Sequence, residues 1–207
     1  MNTKITLLKT IIENLIDPNN KSIHMSLNNV HAKGLFSLVV SGLEPGKLVR
    51  IFIADNKLKP YGVQLHTHRY PIRLTAIKGT IKHYLAHEVS NVDCTTINLS
   101  QYNYKSYLNG GGGLEFINNV DVKITNFIIP PGSTIEMTTK EFHTVSCSKG
   151  SIWIVEELGF ETETSKVLGI PFVVENLYSK PEQFQINDKI QIVIHELKKI
   201  IQNYELV

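Results

Sequence analysis

The chain reads as an all-β protein, an antiparallel sandwich or barrel carrying one amphipathic helix at each end. Three observations predict this. About a dozen short runs rich in β-branched and aromatic residues lie between residues 22 and 160, separated by turn residues. Helical patterns do not alternate with these runs, which disfavours a parallel α/β sheet. The two stretches that do carry helical periodicity sit near the two ends of the sequence.

Residues 3–16 form the first helix, because Ile5, Leu8, Ile12 and Leu15 recur at helical spacing and Leu7, Ile11 and Ile16 widen the stripe. Asp17-Pro18-Asn19-Asn20 ends it, since proline cannot continue a helix and Asx residues favour turns. Packing on the domain's own surface is the expected use of its apolar face.

The expected strands are Ser22–Leu27, Leu35–Ser41, Lys47–Ala54, Gly62–Thr67, Ile72–Lys78, Thr80–His87, Cys94–Leu99, Leu114–Ile117, Val120–Ile129, Thr134–Met137, Phe142–Cys147 and Ser151–Glu157. Turns at Gly42-Leu43-Glu44-Pro45-Gly46, Pro60, Lys78-Gly79, Pro130-Pro131-Gly132 and Lys149-Gly150 separate them. The tyrosine-rich stretch Gln101–Tyr107 reads as a lid, a partner contact or a solvated loop. Asn109 and the four glycines after it read as a mobile hairpin tip. Residues 161–183 are an extended return segment. A second helix over 187–204 shows Ile190, Val193, Ile194, Leu197, Ile200 and Ile201 on one face, with Asn187 or Asp188 as cap. The expected organisation is therefore one domain, with residues 1–21 as N-terminal helix, 22–160 as barrel, and 161–207 as return segment and C-terminal helix.

Composition narrows the function classes. Over 207 residues, 42% are hydrophobic and 19% charged, which suits a globular protein with a sizeable core. The formal net charge is +2 and the lysines are scattered, so no nucleic-acid partner is expected. No run reaches the roughly 18 apolar residues of a spanning helix, so no membrane partner is expected. No secretory signal pattern opens the sequence, and a cytoplasmic location is the default. Cys94 and Cys147 fit neither a zinc knuckle nor a disulfide framework, and both read as small core residues.

The chemistry concentrates at Gln64-Leu65-His66-Thr67-His68. Strand side chains alternate faces, so His66 and His68 point the same way and offer half of a metal site. Gln64 is in phase with them and is either a further contact or a rim residue. Arg50 lies in an otherwise apolar strand and is either an anion clamp or a rim residue with a buried stem. Tyr70 and Arg73 flank the pair in sequence. His83 and His87 read as surface residues, as does His195 on the second helix. Glu141 is placed to orient a ligand histidine or act as a base, or is a solvated turn residue. Trp153 reads as core.

Two segments together carry a family resemblance. His66, His68 and Gly79 follow the spacing of the first cupin motif, and Gly132 and His143 follow the second. Between about residues 47 and 157 the chain resembles the cupin superfamily. Ile72 stands where the first motif has its glutamate, with Arg73 as the alternative register. Thr138, Lys140 and Cys147 replace the proline, glycine and asparagine of the second motif.

The resemblance implies a double-stranded β-helix (jelly-roll) barrel. It implies a divalent transition metal on His66, His68 and His143 without a carboxylate, similar to three-histidine dioxygenases. Fe2+ is favoured, and Zn2+, Ni2+ or Mn2+ are compatible with imidazole ligands. It further implies a small polar substrate contacted by Gln64, Arg50 and Arg73, with Glu141 in a catalytic role, and a homodimer. The expected function is a dioxygenase-type oxidoreductase. The alternatives are a non-catalytic small-molecule-binding or sensor protein and a sugar isomerase or lyase.

Overall fold

The computed structural model describes residues 3–44, 46–59, 64–105, 112–169, 182–183 and 187–205. Two helices, α1 (Thr3–Ile16) and α2 (Asn187–Glu205), flank the strands. The strands are β1 (Leu27–Asn28), β2 (Leu35–Ser41), β3 (Val49–Ala54), β4 (Leu65–His66), β5 (Ile72–Lys78), β6 (Ile81–Glu88) and β7 (Ile97–Lys105). They continue as β8 (Gly113–Ile129), β9 (Thr134–Met137), β10 (Phe142–Cys147), β11 (Ile152–Glu157), β12 (Ser165–Gly169) and β13 (Glu182–Gln183).

The strands form two antiparallel sheets. One runs β13-β1-β2-β3-β11-β5-β9, and the other, β10-β4-β12-β7-β8-β6, closes on itself as a ring. This is the all-β, cupin-type jelly roll with terminal helices expected from the motifs.

Strand alternation gives three apolar layers. Leu38, Val40, Ile51, Ile53, Ile77, Ile152 and Ile154 face out from the seven-stranded sheet, and both helices cover them. Leu8, Ile11 and Leu15 of α1 and Val193, Ile194, Leu197 and Ile201 of α2 supply the covering face. Each such side chain, fully buried, contributes about 1.5–3 kcal/mol. The opposite face of the same strands carries Leu35, Ala54, Ile72, Leu74, Ala76, Trp153 and Val155, which pack toward Ile81, Ile129, Val145 and Cys147 of the ring. Leu65, Ala86, Leu99, Val122, Phe142 and Leu168 form a third cluster. Because Leu65 and His66, or Phe142 and His143, are neighbours on one strand, this cluster lies on the faces opposite the histidines.

Gly79, in the turn between β5 and β6, has a φ of 83°, and a Cβ there would stand 2.9 Å from the Ser151 Cα. Only glycine meets both demands.

Several local expectations are corrected. Residues 21–25 form a 3-10 turn rather than a strand. The Asn20 side chain accepts from the Ser22 N–H at 3.0 Å, and the Ser22 hydroxyl donates to the Gly42 carbonyl at 2.8 Å. Those side-chain bonds compete with a ladder. Residues 114–117 and 120–129 are one strand, β8. Gln101–Lys105 belongs to β7 and pairs with both β8 and β12, so it is not a loop. Cys94 is exposed, whereas Cys147 is buried. Residues 109–111 of the expected hairpin tip, and Tyr107, lie outside the described residues. No helix among the described residues is long and apolar enough to cross a membrane.

Candidate metal centre

β4 pairs with both β10 and β12, and that closure assembles the site. His66 sits directly opposite His143 on β10 and opposite Val167 on β12. Thr67 fastens the next step: its N–H donates to the Lys166 carbonyl at 2.9 Å, and its hydroxyl accepts from the Lys166 N–H at 2.9 Å. His68 follows just beyond the strand. The ligand-competent atoms of His66, His68 and His143 all lie within 4.8 Å of one another. Their ring centroids are 4.8–5.0 Å apart.

Hydrogen bonds define which nitrogens are free. His66 Nδ1 donates to the Gln64 carbonyl at 2.7 Å, leaving the Nε2 lone pair available. His68 Nε2 and His143 Nε2 are 2.7 Å apart and share one proton between them. The other nitrogen of His143, Nδ1, lies 2.9 Å from His83 Nε2. His83 is fully buried, and its own Nδ1 has no partner among the described residues.

Burial lowers the pKa of His66, with the Gln64 carbonyl acting the other way. Burial, reinforced by the other imidazoles, drives His68 and His143 well below the ordinary histidine value. Burial lowers His83 to about 4, against a small opposite pull from Glu141. All four are therefore neutral near pH 7, the state in which imidazole ligates a metal.

The three histidines fit a divalent transition ion as a neutral all-imidazole donor set, with Gln64 and His83 fixing two of the rings from behind. Bound there, the ion would keep its full charge. It would have positions left for other ligands.

These histidines border a cavity of about 280 Å3. Leu35, Phe52, Ile72, Leu74, Trp153 and Val155 form its apolar wall, and Phe52 stacks on Trp153 with centroids 5.4 Å apart and planes 7° from parallel. The histidines, Arg50, Gln64, Arg69, Tyr70, Tyr104 and Glu157 supply polar lining. Ser37 is also in the wall, and its buried hydroxyl has no partner among the described residues.

The other residues singled out from the sequence distribute unevenly. Gln64 lines the cavity. Arg50 does too, but its Nε bonds Glu157 Oε1 at 3.2 Å, and Glu157 Oε2 accepts the Gly46 N–H at 2.8 Å. Arg73 is corrected: it does not border the cavity. Alternation on β5 turns Ile72 and Leu74 inward and Arg73 outward, where it meets Glu136 at 2.8 Å and Glu156 at 3.7 Å. Glu141 also stays off the cavity wall. Its carboxylate accepts from the Thr138 N–H at 2.6 Å and the Thr138 hydroxyl at 2.9 Å, closing the turn before β10.

Two histidines were not legible as site residues. His83 shares a strand face with Ile81, and the inward phase of Ile81 and Leu85 was the available signal. His31 stacks on His66 with centroids 5.0 Å apart and a φ of 65°. It lies between strands, where no periodicity announces it. His87 and His195 are exposed, as expected.

No family model and no curated protein matches the chain. Solved structures do. Hydroxypropylphosphonic acid epoxidase from S. wedmorenis aligns with 63% of this chain and 53% of its own, at 11% identity and a TM-score of 0.38. Hydroquinone 1,2-dioxygenase from Sphingomonas sp. TTNP3 aligns with 60% of this chain and 65% of its own, at 11% identity and a TM-score of 0.35. The Drosophila melanogaster CENP-C cupin domain aligns with 75% of this chain and 98% of its own, at 10% identity and a TM-score of 0.35. The chain thus spans about half of the epoxidase and under two thirds of the dioxygenase. Likenesses this distant assign no activity to it.

Proposed function

We propose that this is a metal-binding protein of dioxygenase-type oxidoreductase chemistry, with the ion on His66, His68 and His143 and Fe2+ as the working metal. The observation that carries this reading is the convergence of three neutral imidazoles, without a carboxylate among them, on the wall of a cavity. A divalent ion held there supplies Lewis acidity and, as iron, access to oxygen chemistry. The chain's own residues hold the ring tautomers, exclude water with the apolar wall, and orient the substrate.

Metal analysis of protein made in metal-replete medium, followed by oxygen uptake with candidate substrates, tests the reading. Stoichiometric iron with substrate-dependent uptake supports it. Protein free of iron, zinc, nickel and manganese overturns it.

A second reading is a non-catalytic small-molecule-binding protein. It is favoured by the commitment of Glu157 to Arg50 and Gly46, which leaves no free carboxylate among the described residues of the cavity wall. Ligand binding without oxygen uptake by the iron-loaded protein selects it. A homodimer is also proposed, supported by the exposed apolar side chains Ile124, Phe127 and Ile128 on β8. A monomeric mass in solution counts against that.

A further inference from the structure

The ionised groups of the cavity wall do not cancel. Arg50 and Glu157 form an ion pair. Arg69 remains. Among the described residues it meets no carboxylate at ion-pair distance. Its guanidinium donates one hydrogen bond to the Tyr70 hydroxyl and lies over that ring, 5.0 Å from the centroid. Tyr70 itself is buried, with its ring against Phe160.

A guanidinium offers five N–H donors in a fixed fork that matches a carboxylate. Tyr70 engages only one donor through its hydroxyl, and its stacked ring holds the fork in place. Arg69 directly follows His68, so this single surplus cation adjoins the candidate metal centre along the chain. Away from the histidines, Gln64 and Tyr104, much of the wall is apolar and partly aromatic. At about 280 Å3 the space lies just below the roughly 300–1,000 Å3 typical of ligand sites.

We propose, building on the metal-centre reading above, that the cavity takes a small monocarboxylate with an aromatic or branched apolar body. The carboxylate lies on Arg69 and the body against the Phe52–Trp153 stack. A dianion exceeds the single surplus charge, and a wholly polar molecule leaves the apolar wall unmatched. The substrate is then less polar than the sequence alone suggested.

Trp153 is the single tryptophan of the chain, so its emission reports occupancy of this cavity. The probes are phenylacetate, its neutral isostere phenylacetamide, acetate and phenyl phosphate, titrated against metal-free and Zn2+-loaded protein. The expected result is phenylacetate bound at least tenfold more tightly than the other three in both forms. Arg69→Gln removes that preference by weakening phenylacetate far more than phenylacetamide, and Arg69→Lys retains part of it. Equal affinity for phenylacetate and phenylacetamide overturns the proposal, as does a preference that survives Arg69→Gln. Co2+ absorption on the same protein keeps the two readings apart: metal bound without the preference sinks only the ligand class, whereas the preference without metal sinks only the metal centre.

Discussion

The Nε2 of His83 lies 2.9 Å from Nδ1 of His143, and the remaining nitrogen of His83 faces no partner among the described residues. For His143 to offer its Nε2 lone pair to an ion, its proton must sit on Nδ1, and His83 is the acceptor. Three rings in a row, His83, His143 and His68, thus share one tautomer decision.

Removing that acceptor weakens metal binding without touching a ligand. His83→Leu leaves the His143 donor stranded in an apolar surround, and metal affinity falls about 10–100-fold. His83→Gln, whose side-chain oxygen accepts the same bond, recovers most of it. Co2+ or Zn2+ titration against a chelator measures both. Equal affinity in His83→Leu and the native protein would remove His83 from the site.

The lowered histidine pKa values make stability depend on pH in one direction. Between the folded value of about 4 for His83 and the ordinary 6.5, the unfolded chain binds more protons than the folded one. Stability is therefore full above about pH 6.5 and is lost as pH falls toward 4. His83 alone accounts for about 3 kcal/mol of that loss, and His68 and His143 act in the same sense. Urea midpoints of the metal-free protein at pH 7.5, 6 and 5 should fall in that order. A midpoint flat across that range would contradict the burial of these rings.

Ser37 is fully buried in the cavity wall, with its hydroxyl unpaired among the described residues. An unmet buried polar group costs about 1–3 kcal/mol. Ser37→Ala should raise stability by about 1 kcal/mol, seen as a higher thermal midpoint. A clear loss of stability would mean that the hydroxyl has a partner in solution.

The inward phase of Ile72 and the outward phase of Arg73 predict opposite outcomes for neighbouring substitutions. Ile72→Glu places a carboxylate in the cavity wall and should cost at least about 2 kcal/mol without metal, with Zn2+ restoring part of it. Arg73→Ala, removing a half-exposed ion pair, should cost less than about 1 kcal/mol. It should leave Co2+ affinity unchanged. Paired denaturation curves with and without Zn2+ distinguish the two; a metal-dependent effect at Arg73 would reverse the assignment of faces.

The sequence by itself determined what depends on short-range periodicity. Leu8, Ile11 and Leu15 recur at helical spacing, and the helix spans 3–16 as expected. The strands from β2 to β6 and from β9 to β11 lie near their expected places because alternation and turn residues are local, whereas β7 and β8 run longer than local pattern indicated. His66 and His68, two apart, both reach the cavity, although β4 ends at His66 and Thr67 between them also lines it.

Beyond the motif resemblance that grouped His143 with His66 and His68, tertiary structure decided which distant residues meet. His143 faces His66 because the ring closes through β4, and no local pattern encodes that pairing. The same closure, with sheet packing, buried His83, paired Arg50 with Glu157, and chose Ile72 over Arg73 for the cavity. Each of these depends on the fold-wide register and on a partner far away in sequence, where a one-residue slip turns every side chain to the other face.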